Sequence, residues 1–138
     1  MSSIPQDQRS GGVVAFSSGN HAQGVAAAAK ILNMQATIVM PADSPLTKRE
    51  RTKSYGAEVV LYDRDKEDRE AIANGIAGKR GATLVRPYDD PFVIAGQGTV
   101  GREIAEDMTA LGLAPDIVVA PASGGGLIAG VATAVKAK

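Results

Sequence analysis

The amino-acid sequence predicts an α/β fold of three layers, a four-stranded parallel sheet with helices on both faces. Three observations carry this expectation. Short apolar, β-branched runs recur along the chain, and they are continuous rather than alternating, as strands covered on both faces should be. Segments with helix start and stop signals separate them. Strand, helix and strand at this spacing mean right-handed crossovers and a parallel sheet.

Val13-Val14-Ala15-Phe16 reads as the first strand. An Ala-rich helix over His21 to Leu32 follows, and its Val25, Ala26 and Ala29 form a small-residue face that can lie close on a sheet. Ala36 to Met40 is the second strand. Asp43-Ser44-Pro45 supplies caps and a first-turn proline to the second helix, which Gly56 closes. Glu58 to Tyr62 is the third strand, and Asp65 is expected to open a third helix with Glu67, Asp68 and Glu70 near its positive end. Thr83 to Val85 is the fourth strand. In the fourth helix Val100, Ile104, Met108 and Leu111 fall on one stripe, and Gly112 ends it. A further strand is expected at Asp116 to Ala120, and a fifth helix from Leu127 to Lys138. This last pair has no later strand to cover it, so the chain is expected to be a fragment of a larger fold.

Composition excludes several functions. At 138 residues, 44% of them apolar, the chain suits one ordinary domain and neither disorder nor membrane insertion. Aromatic residues make up 4%, which argues against stacking on single-stranded nucleic acid. Fifteen basic residues balance fifteen acidic ones, so no net field points to nucleic acid or anionic lipid. The absence of cysteine removes disulfides, thiolate metal sites and cysteine nucleophiles. Met1 to Arg9 lacks the layout of a signal peptide, and the expectation is a soluble cytoplasmic protein.

Ligands on parallel sheets bind beyond the carboxyl ends of the strands, so the loops that follow strands matter most. Ser17-Ser18-Gly19-Asn20-His21-Ala22-Gln23-Gly24 brings two hydroxyls, an amide and the single histidine to a helix start. Capping explains one such residue but not the cluster. Ser123-Gly124-Gly125-Gly126-Leu127 offers successive backbone N–H groups to an oxyanion with a helix dipole behind them. Gly96-Gln97-Gly98-Thr99-Val100-Gly101 matches the dinucleotide fingerprint, but the residues before it, Tyr88 to Phe92, are turn-like rather than a strand. A lone histidine makes no metal site, and the charge runs at Lys48 to Arg51 and Asp63 to Glu70 read as solvated helix faces.

Ser17 to Gly24 resembles the asparagine loop of fold-type II pyridoxal-phosphate (PLP) enzymes, the group of threonine dehydratases, serine dehydratases and serine racemases. Ala95-Gly96-Gln97-Gly98-Thr99 resembles a second block of that family, and Ser123 to Leu127 resembles its phosphate loop. The resemblance implies that residues 1–112 are the small domain and residues 113–138 the truncated start of the large one. It implies that Asn20 bonds the phenolic oxygen of PLP, and that Ser17, Asn20 and His21 hold the substrate carboxylate. Ser123, Gly124, Gly125, Gly126 and Leu127 would cradle the phosphate, with Ser123 standing where the family usually has a fourth glycine. Ser18 matches the second base of the racemases, although dehydratases carry serine there too.

The family's Schiff-base lysine, in a Ser-Phe-Lys-type motif, has no match among Lys30, Lys48, Lys53, Lys66, Lys79, Lys136 and Lys138. The family's divalent-metal site also belongs to a stretch this chain does not contain. The implied function is a dehydratase (ammonia-lyase) acting on threonine, serine or 3-hydroxyaspartate, with this piece inactive alone and associating through its C-terminal region or as a homo-oligomer. A racemase of the same family, a nicotinamide-binding Rossmann domain and a non-catalytic phosphate-binding remnant are the alternatives.

Overall fold

The four apolar runs up to Val85 form strands where their sequence places them. In this computed structural model, which describes residues 1–137, β1 is Val13–Phe16, β2 Ala36–Pro41, β3 Glu58–Tyr62 and β4 Thr83–Val85. They make one parallel sheet in the order β3-β2-β1-β4. Val13 pairs with Ala36 on one side and Thr83 on the other, so β1 is an inner strand. The helices are α1 Asn20–Ile31, α2 Leu46–Ser54, α3 Arg69–Arg80, α4 Pro91–Ala110 and α5 Gly126–Lys136. Lys138, to which the sequence extends the last helix, lies outside the described residues.

Successive side chains of a strand point to opposite faces, and here they enter two separate cores. Val13, Ala15, Ile38 and Met40 pack with Ala22, Val25, Ala26 and Ala29 of α1. Val14, Phe16 and Val39 pack with Tyr62 and with Ala73 and Ala77 of α3. That division places α1 and α3 on opposite faces and confirms the three-layer α/β fold.

The chain divides into two compact units, Met1–Arg86 and the residues from Pro87 onward. The sheet and α1 to α3 make the first. The second holds α4 and α5, whereas the domain division expected from sequence falls after Gly112. A Cβ on Gly101 would stand 2.6 Å from the Val131 carbonyl oxygen, and one on Gly130 would stand 2.6 Å from the Gly98 nitrogen. These two helices therefore touch backbone to backbone, which only glycine allows.

Several local expectations are corrected. No strand forms at residues 116–120, where Ile117 is 80% and Val119 90% exposed. A strand needs a neighbour to bond its N–H and C=O groups, and among the described residues none pairs with this one. Asp65 does not open α3. Its N–H bonds Asp63 Oδ1 at 3.0 Å in a turn, and the cap is Asp68, whose Oδ1 accepts from Glu70 N at 2.8 Å and Ala71 N at 3.2 Å.

Asp43 and Ser44 do not cap α2, whose N-cap is Pro45, and Asp43 pairs instead with Arg64 at 3.1 Å. The expected stripe of α4 is not its packed face, because Val100 and Leu111 are exposed while Gly101 is buried. Finally, α4 begins at Pro91, with Asp90 Oδ1 accepting from Phe92 N at 2.8 Å and Val93 N at 3.0 Å. Gly96 to Gly101 thus lies inside a helix with no strand leading into it, and the dinucleotide reading fails.

Candidate functional site

β1 lies between β2 and β4, so the strand order reverses beside it. Such a switch point opens a crevice at the carboxyl ends of the strands. The chain leaves β1 there, into Ser17 to Gly24. Ser17 N–H still bonds Val39 O at 3.1 Å, which fixes the first loop residue to the sheet. Ser17 Oγ accepts the Gly19 N–H at 3.2 Å, and this leaves the hydroxyl proton to donate elsewhere.

Gly19 is the N-cap of α1, and no side chain caps the helix. The first helical bond runs from Gln23 N to Gly19 O at 3.4 Å. The N–H groups of Asn20, His21 and Ala22 therefore have no acceptor within the helix. Ser18 and Asn20 are exposed on the same turn.

His21 is half-buried, with Nε2 3.4 Å from the carbonyl oxygen of Val85 at the end of β4. Burial holds its pKa below the ordinary value, with the Val85 contact opposing more weakly. A neutral imidazole that donates Nε2–H to Val85 spans the two strands of the switch point. Its ring is thus engaged, and its backbone N–H remains for a ligand. Two cations approach this region: Lys48 Nζ would be 3.8 Å from a Cβ on Gly19, and the Arg69 guanidinium sits 5.4 Å above the ring of Phe16.

The second loop belongs to the other unit. Gly125 takes φ +94°, a left-handed conformation that suits glycine, and α5 starts at the next residue. No side chain caps α5, and its first bond is Ala129 N to Gly125 O at 2.9 Å. The N–H groups of Gly126, Leu127 and Ile128 are left without helical acceptors, while Ser123 and Gly124 are exposed. By contrast, α3 and α4 close their own starts with Asp68 and Asp90. An anion brought to the loop of α5 would meet free donors and the positive end of the helix dipole.

Sequence reasoning missed one residue here. The ring of Tyr88 fills the space where a Cβ of Gly124 would stand, and a Cβ on Gly126 would be 3.0 Å from Tyr88 Cα. Tyr88 sits in a run of turn residues, where nothing in the pattern marks it as a support for a loop more than thirty positions later.

The family model described as pyridoxal-phosphate dependent enzyme matches residues 1–138. An L-threo-3-hydroxyaspartate ammonia-lyase of Saccharomyces cerevisiae is 48% identical over 136 residues, which are 99% of this chain and 40% of that protein. Among solved structures, a threonine deaminase of T.th. is similar at 47% identity and a TM-score of 0.87, over 98% of this chain and 42% of that one. Maize serine racemase is similar at 42% identity and a TM-score of 0.88, over 97% of this chain and 40% of that one. The chain thus spans about two fifths of the length of these relatives. It belongs to the pyridoxal-phosphate dependent enzyme family.

Proposed function

We propose that this chain carries two ligand-holding loops of a PLP-dependent ammonia-lyase whose substrate is a β-hydroxy amino acid such as threonine, serine or 3-hydroxyaspartate. The observation that carries the reading is the pair of helix starts at α1 and α5. Each has a glycine as its N-cap residue, has no side-chain cap and follows a loop that resembles a family ligand block. The cofactor's phosphate is assigned to the second loop, where the N–H groups of Gly126, Leu127 and Ile128 lack helical acceptors beside the turn at Gly125.

In this reading Ser123 to Leu127 hold the phosphate, and the Asn20 amide donates to the phenolic oxygen of the ring. Ser17 donates its hydroxyl proton, and Asn20 and His21 their backbone N–H groups, to the substrate carboxylate. Ser18, exposed on the same turn, would be the second base if the whole protein is a racemase. Bound PLP supplies the electron sink for loss of water and ammonia, and the chain's own residues orient it. None of this chain's lysines follows a Ser-Phe pair, so the covalent anchor is not among its contributions. The division into a small domain, residues 1–112, and a large domain opening at residue 113 is part of the same proposal. So is association of copies through the exposed apolar segment around Ile117 and Val119.

Titration of the isotope-labelled chain with inorganic phosphate and with PLP tests the loop. Amide signals of Gly124 to Ile128 should shift at millimolar ligand. Gly125→Asp, which adds a side chain at positive φ and a like charge, should abolish the response. No response to either ligand in the parent chain would sink the assignment. With PLP and threonine or serine, the 138-residue chain should release keto acid no faster than free PLP does. Turnover near that of an ordinary enzyme, roughly 10 per second, abolished by Lys48→Ala, would show that Lys48 supplies the anchor and would overturn that part of the reading.

A further inference from the structure

We infer that Tyr88 is the positioning residue of the glycine loop: its ring takes the space that Gly124 leaves open, its backbone and Cβ lie against Gly126, and together they hold the curve that leads into the free N–H groups of α5. This rests on the loop reading above and extends it to a residue outside the loop. Three observations support it. A Cβ on Gly124 would collide with the Tyr88 ring, lying 2.5 Å from its Cγ and 2.8 Å from Cε1. A Cβ on Gly126 would be 3.0 Å from Tyr88 Cα and 3.2 Å from both its Cβ and its carbonyl oxygen. The intervening Gly125 has nothing within 4 Å of its Cβ position, so the loop rests on Tyr88 at both ends and is open between them.

The support is itself fixed. Asp90 N bonds Tyr88 O at 2.9 Å, and Asp90 in turn caps α4, so the backbone of Tyr88 is tied to the first turn of a twenty-residue helix. Three consecutive glycines have more backbone freedom to lose than any other tripeptide. A loop of this composition has no side chains of its own to hold it in one shape. The ring provides the missing wall. It acts through shape rather than through its hydroxyl, since the atoms that meet Gly124 are ring carbons.

The experiment combines phosphate titration with amide hydrogen exchange on the parent chain, Tyr88→Phe, Tyr88→Ala, Gly124→Ala and the double variant Gly124→Ala/Tyr88→Ala. Tyr88→Phe should match the parent. Tyr88→Ala should exchange faster at Gly124 to Leu127 and bind phosphate about tenfold more weakly, the equivalent of one charge-assisted hydrogen bond. Gly124→Ala should bind weakly, and removal of the ring in the double variant should restore part of that loss, because the added methyl then has room. Circular dichroism on each variant confirms that the helices persist. Unchanged exchange and affinity in Tyr88→Ala, or a double variant no better than Gly124→Ala, would overturn the inference. If the parent chain itself fails to bind phosphate, the loop assignment falls, and the exchange rates alone still decide whether Tyr88 holds the loop.

Discussion

Ile38 and Val119 are residues of one kind, each in the middle of an apolar β-branched run, and they meet opposite surroundings. Ile38 has no exposed surface, with strands on both sides of β2 and helices on both faces of the sheet. Val119 keeps 90% of its surface in a segment with no strand partner among the described residues. The contrast extends to the two units. The first fills two cores, one on each face of its sheet, whereas Val131 is the one hydrophobic side chain of the second that is buried among the described residues. A run of valines specifies a strand only where another strand is available to receive it. The periodicity of the sequence therefore predicts propensity, and the presence of neighbours converts it into structure.

The largest effect separates these two residues directly. Ile38→Ala should cost roughly 2–5 kcal/mol in urea unfolding, because it opens a cavity in a packed interior. Val119→Ala should stay within about 0.5 kcal/mol, as an exposed substitution does. Equal losses would show that the segment before α5 is covered in solution. Light scattering on the parent chain and on Val119→Lys would then tell whether a second copy supplies that cover.

A smaller effect compares the helix starts that the chain closes itself. Asp68→Ala and Asp90→Ala should each cost about 1 kcal/mol, the usual value of a lost N-cap. The two differ in their reach. Asp68→Ala should leave phosphate binding alone, since α3 belongs to the first unit and the glycine loop to the second. Asp90→Ala should also quicken exchange at the glycine loop, through Tyr88. Identical exchange at Gly124 to Leu127 in the two variants would break that link.

The sheet was legible because its signals are local and mutually consistent. β1 to β4 are continuous β-branched runs between glycine, proline and capping signals, and parallel pairing followed from their spacing. The two loops stood out because each gathers several glycine, serine or asparagine residues at one helix start, more than a single N-cap requires. What escaped depends on competition or on absence. Asp63, Asp65, Glu67 and Asp68 are all plausible caps, and only the turn in which Asp63 bonds Asp65 N, with Glu67 bonding Asp63 N at 2.7 Å, leaves Asp68 at the helix start. In α4 a hydrophobic stripe pointed one way and the glycines another. The glycines won, because a second helix approaches closest where there are no side chains. Tyr88 was invisible for the same reason, since the residues it supports have no Cβ to form a recognisable pattern.

The smallest effect concerns His21, in the unit that is otherwise governed by apolar packing. Its folded pKa lies below the ordinary value, chiefly through burial, while in the unfolded chain it returns to about 6.5. Above that value both states hold a neutral imidazole, and the packing around α1 contributes in full. As pH falls below about 6.5 the unfolded chain takes up the proton first, so stability declines until the folded state is protonated as well. His21 is the only histidine, which makes the effect separable from the carboxylates. Unfolding midpoints between pH 8 and pH 5 should fall more steeply for the parent chain than for His21→Gln, which keeps a side-chain donor for the Val85 carbonyl but does not titrate. Proton NMR of the single imidazole should show its titration displaced to lower pH. Parallel midpoint curves together with an imidazole titrating at its ordinary value would mean that the ring is not buried at the switch point, because burial is what lowers its pKa and the Val85 contact only opposes that shift.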